Sequence, residues 1–156
     1  MSDAYIIYLE ERYQGEVYGE AIFDAWARAT GDTAVAEKLQ VLARLEREMG
    51  GRLAGELRAL GRAPQADPGK REEGEKIGGA LGGAAWPGVL DGFRSQLTPL
   101  VEEFERAESL APEGKLSLLQ DVTAHERALL LFADREGAGQ ADALEPALDL
   151  LRSWET

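Results

Sequence analysis

Four stretches of this chain carry apolar residues at alternating three- and four-residue spacing over lengths that only long amphipathic helices accommodate. The first runs from about Asp3 to Thr30, with Ile6, Leu9, Tyr13, Val17, Phe23 and Ala27 on one face, and it ends at Gly31-Asp32. A second starts near Asp32 or Thr33, either of which can cap it, and carries Val35, Leu39, Leu42, Met49, Leu53, Leu57 and Leu60 before Gly61 and Pro64 stop it. The third, from about Gly88 to Leu110, has Leu90, Phe93, Leu97, Leu100, Val101 and Phe104 in its seam. The fourth spans roughly Glu113 to Arg135 through Leu118, Leu119, Val122, Leu129, Leu130, Phe132 and Ala133, and Gly137 and Gly139 close it. A short fifth helix near Ala143 to Trp154, with Pro146 in its first turn, offers Leu148, Leu151 and Trp154 as a cap across the end. Short turns between consecutive long helices predict an all-α, antiparallel four-helix bundle forming a single domain over residues 1–156.

Between the second and third helices the composition changes. Residues 62–87 are rich in Gly and Pro, carry a charged patch from Lys70 to Lys76, and run on through Ile77, Leu81 and Trp86. A connection of this length is a functional loop or a crossover along the bundle.

With 44% hydrophobic residues in 156, there is enough apolar material for one sizeable core. No apolar run reaches the roughly 18 residues a membrane span needs, and the acidic start, Met1 to Gln14, lacks the basic opening of a signal peptide. Cysteine is absent, which excludes disulfides and thiolate chemistry and suits a reducing compartment. The expectation is a cytoplasmic protein with no membrane partner. Seventeen basic residues against 29 acidic ones repel a phosphate backbone, so nucleic acid is not an expected partner either.

Polar residues on the apolar stripes are the informative exceptions, because a buried carboxylate costs several kcal/mol unless it is paired, protonated or bound to a metal. Glu16 and Glu20 fall inside the stripe made by Leu9, Tyr13, Phe23 and Ala27. Glu46 lies between Leu42 and Met49, and the only histidine, His125, lies one turn from both Val122 and Leu129 with Glu126 on the flank. All fall near the middle of their helices, so antiparallel packing would gather them in one layer. Glu16, Glu20, Glu46 and His125 are ligand types that hold iron or manganese. The alternative is a polar layer satisfied by its own members with Tyr13 and Arg12.

These residues carry a resemblance. Gly15-Glu16-Val-Tyr-Gly-Glu20-Ala-Ile-Phe23, then Leu45-Glu46-Arg-Glu-Met49 with Leu53, and later Thr123-Ala-His125-Glu126-Arg-Ala-Leu leading to Phe132 and Glu136, are similar to the helices of rubrerythrin and its ferritin-like relatives. The resemblance spans roughly Tyr5 to Glu136 and implies a ferritin-like bundle whose one long crossover joins the second and third helices. It also implies a di-iron site, but each Glu-x-x-His motif of the family keeps one ligand of two here: Glu46-x-x-Met49 and Val122-x-x-His125. On the third helix Glu102 and Glu103 project off the seam, and only Glu105 and Glu108 approach it. What remains is a degenerate site.

Tyr18, Ile22 and Trp26 form a second apolar strip on the first helix, nearly opposite its core stripe. Another subunit, the glycine-rich crossover or the terminal helix must cover it, and a homodimer through this strip is the expectation. Met49, Gly51, Gly55 and the crossover glycines could leave room for a ligand between helices. No other catalytic constellation is present. Two functions follow: a non-catalytic scaffold or binding protein with a degenerate metal site, or a metal-handling oxidoreductase that works with the reduced ligand set, Tyr13 standing beside it.

Overall fold

Capping residues set the helix ends in the computed structural model, which describes residues 2–155. Helix α1, Asp3–Ala29, opens at Ser2, whose hydroxyl accepts the Tyr5 amide at 3.3 Å. Asp32 caps α2, Thr33–Ala59, by accepting from the amides of Ala34 and Val35 at 2.9 and 3.2 Å, which satisfies donors that no helical carbonyl can reach. At the other end Gly61 takes a φ of +79°, and the amides of Gly61 and Arg62 donate to the carbonyls of Arg58 and Leu57. That is the reason a glycine stands there.

Residues 62–87, expected as a loop or an extended crossover, contain a helix. Asp67 caps α3, Pro68–Leu81, with Pro68 in its first turn. The helix escapes a search for apolar periodicity because the residues it buries are two glycines, Gly74 and Gly78. Helix α4 spans Trp86–Ala107 and continues through Pro99. A 3-10 turn at Glu108–Leu110, then α5, Leu116–Gly137, and α6, Glu145–Trp154, complete the chain. There are six α-helices rather than five, and no strand, among the described residues. None of these helices is long and apolar enough to cross a membrane.

The chain forms two compact units, one running through Gly83 and the other starting at Ala84. In the first, α1 packs on both α2 and α3. Glu16 lies against Gly50, Gly19 against Glu46 and Glu20 against Arg47, so numbering rises on α1 as it falls on α2. Against α3 it rises on both: Gly74 meets Tyr18 and Ala21, Gly78 meets Ile22 and Ala25, and Gly82 meets Ala29. Of the three covers considered for the second apolar strip of α1, the glycine-rich segment occupies the Tyr18 and Ile22 part of it, and Trp26 is buried. Lys70 adds its ammonium 5.9 Å from the Tyr18 ring centroid. Gln14 ties down the entry to α3, donating to the Gln65 carbonyl at 2.8 Å and accepting the Asp67 amide at 2.9 Å.

In the second unit α5 packs on α4 and α6. Leu90, Leu97, Val101 and Phe104 of α4, Leu119, Val122, Leu129 and Phe132 of α5, and Leu151 of α6 are all buried. Trp86 meets Phe132 edge to face, with ring centroids 6.2 Å apart. These buried positions are among those the spacing selects, whereas Phe93, Leu100, Leu118, Leu130, Leu148 and Trp154, expected in the same seams, are half-buried.

Tyr5 sits at the start of α1, fully buried, and among the described residues its hydroxyl meets no hydrogen-bond partner. Burial, and secondarily the Glu56 carboxylate, push this phenol from 10 to about 12. The folded value lies above the unfolded one, so the contribution is intact below pH 10 and is lost as pH climbs toward 12, at about 1.4 kcal/mol per pH unit. Tyr5→Phe is expected to be neutral or stabilising by up to about 1 kcal/mol at pH 7, and to flatten the alkaline fall in stability. Urea denaturation at pH 7 and pH 11 checks both.

Candidate functional site

Two carboxylates are buried between α1 and α2. Glu16 is 5% exposed and Glu46 4% exposed, and each offers an oxygen within 4.8 Å of the other's. Glycines make the space. A Cβ on Gly19 would lie 2.9 Å from the Glu46 carboxyl carbon, and one on Gly50 would lie 3.3 Å from the Glu16 Cβ. Each helix thus seats its glutamate over the other's glycine, three or four residues from its own. Two carboxylates at this range offer a pair of oxygen donors to one cation.

A cavity of about 240 Å³ opens beside the pair, with Tyr13, Val17, Glu20, Arg47, Gly51 and Ala54 in its lining. Glu20 turns away to a partner of its own: Arg47 Nη1 donates to its Oε2 at 3.3 Å, and its side chain is 19% exposed. The sequence placed Glu20 in the same ligand layer as Glu16, and the structure pairs it with Arg47 at the cavity rim. Gly55, expected to leave internal space along with Gly51, is exposed and lies outside the lining.

His125 is fully buried on α5. Its Nδ1 lies 2.6 Å from the Val122 carbonyl oxygen, one turn back on the same helix. A carbonyl only accepts, so Nδ1 carries a proton here, and in the neutral tautomer the lone pair falls on Nε2. An imidazole fixed in this way by a backbone carbonyl is in the tautomer that ligates a metal through Nε2. Glu126 Oε2 lies 3.6 Å from that nitrogen, beyond hydrogen-bond length. Glu126, on the flank of the stripe, is itself buried at 8% exposed.

Helix α4 gives its carboxylates to other tasks. Glu102 and Glu103 are exposed. Glu105 pairs with Arg127, and Glu108 Oε2 accepts from the Thr123 hydroxyl at 3.1 Å. Within the first unit, Glu16 and Glu46 are the buried carboxylates that could hold a metal ion. Gly19 and Gly50 escaped notice in the sequence, although a glycine one turn from a carboxylate on a core stripe is a legible signal. No family model, no curated protein and no solved structure matches this chain.

Proposed function

We propose that the chain is a ferritin-like helical protein that keeps a reduced metal site, with one iron or manganese ion held by Glu16 and Glu46. The observation that carries this reading is the pair of buried carboxylates, Glu16 and Glu46, each recessed over a glycine and with oxygens within 4.8 Å. Oxygens of two carboxylates at this range are donors that one hard divalent cation takes. Carboxylate oxygens suit manganese, and helical bundles hold iron with them.

Such a site differs from the di-iron centre that the resemblance implies. Met49 and Val122 stand where two further ligands would be, and Glu20 is engaged with Arg47. A mononuclear centre on two protein carboxylates would leave coordination positions for water or a substrate.

Elemental analysis tests the reading directly. Protein purified without a metal-binding tag, exposed anaerobically to ferrous iron or manganese and then desalted, is expected to retain close to one ion per chain. Background metal in both cases would mean that the helical frame serves as a metal-free scaffold.

A further inference from the structure

The cavity beside Glu16 and Glu46 is lined on another side by Arg58 from α2 and Arg71 from α3. Among the described residues neither guanidinium has a salt bridge, in a chain with 29 acidic residues to pair with. Arg47, which lines the same cavity, is held by Glu20 at 3.3 Å. Arg58 stands about three turns from Glu46 along α2, so it approaches away from the buried carboxylates. Tyr13 brings a phenolic donor from α1. Three helices of one unit therefore direct donors at one space.

We propose that this arginine-lined part of the cavity binds a small oxyanion, of the carboxylate or phosphate type. A guanidinium stays charged at every physiological pH and presents a planar fork of N–H donors that fits two oxygens of such an anion. At about 240 Å³ the space is below the roughly 300–1,000 Å³ of pockets for drug-sized ligands, which favours a small ion. Binding has a structural consequence. Helix α3 buries no large side chain, only Gly74 and Gly78, so an anion bridging Arg58 and Arg71 would clamp α3 to α2. The site is independent of the proposed metal ion, and its test is run without one.

The experiment is calorimetric titration of the full chain, freed of metal with chelator and at low salt, with inorganic phosphate and separately with citrate. Saturable binding is expected for the wild type and for Arg62→Gln, whose arginine lies outside the cavity lining. In the Arg58→Gln/Arg71→Gln double variant binding should weaken at least about tenfold. Both arginines are exposed, so the variant should fold, and circular dichroism verifies that it does. Binding should also slow amide exchange over residues 68–81. Phosphate binding without citrate binding assigns a phosphate-type ligand, and the reverse assigns a carboxylate. An absence of saturable binding for both probes at tens of millimolar, or equal affinity in the double variant, overturns the proposal. Because chelator is present throughout, that result and a failure to retain metal are separate findings.

Discussion

Glu46→Leu is expected to fold, to melt in chelator at or above the wild-type temperature, and to retain no more than background metal. In the metal-free protein Glu46 is a buried carboxylate, 4% exposed, with an oxygen within 4.8 Å of a Glu16 oxygen. Replacing a buried ionic group by an apolar one of similar volume is commonly neutral or stabilising by about 1–4 kcal/mol, because the desolvation cost disappears with the charge. Gly19, where a Cβ would come within 2.9 Å of the glutamate's carboxyl carbon, leaves the room that a leucine of similar volume would take.

Added metal should reverse the order of stability. A ligand that binds only the folded state stabilises it by about 2.7 kcal/mol at a hundredfold excess over its dissociation constant. Wild type gains that increment and Glu46→Leu does not. Melting curves recorded with chelator and with excess ferrous iron or manganese should therefore cross between the two proteins. Glu46→Gln separates shape from charge: it keeps the side chain's outline, and its metal retention should fall with that of the leucine variant. Full retention by both variants would remove Glu46 from the ligand set. A large loss of stability in chelator would show instead that Glu46 is a structural polar partner whose removal leaves a cost behind.

The long helices were legible because their apolar seams obey one period and their ends carry strong chemistry. Asp32 accepts the two amides that an N-cap should, and Gly61 and Gly139 adopt positive φ where each helix closes. Glu16, Glu46 and His125 were legible for the complementary reason: each is a polar residue on an apolar stripe, and all three are buried. Glu20 shared the stripe but not the burial, because Arg47 on α2 reaches it; the period of a helix fixes direction, not which neighbour has a long cation. Helix α3 was missed because its packing face consists of absent side chains. Gly74, Gly78 and Gly82 recur every four residues, a helical spacing in which close backbone approach replaces the apolar stripe. The same blindness hid Gly19 and Gly50, whose role is the volume they leave to a glutamate on the facing helix.

Gly78→Ala and Gly79→Ala, one residue apart on α3, are expected to change stability in opposite directions. A Cβ on Gly78 would lie 2.2 Å from the Ile22 carbonyl oxygen and 2.9 Å from the Ala25 Cβ. The first of these is backbone of a buried helix, so α3 itself must move. Overpacking of this kind costs about 1–3 kcal/mol, and the better helix propensity of alanine returns only about 1 kcal/mol of it. On Gly79 a Cβ meets nothing within 4 Å, so the same substitution there keeps the propensity gain and should stabilise the protein by up to about 1 kcal/mol. Native-state amide exchange localises the effect. Residues 68–81 should exchange faster in Gly78→Ala, whereas most of α2 keeps its protection, because α1 and α2 pack without α3. Undocking also withdraws Arg71 from the cavity, so phosphate or citrate affinity should fall in Gly78→Ala and stay unchanged in Gly79→Ala. Equal behaviour of the two alanine variants would mean that α3 is not held by close glycine contact, and that Arg71 owes its place to something else.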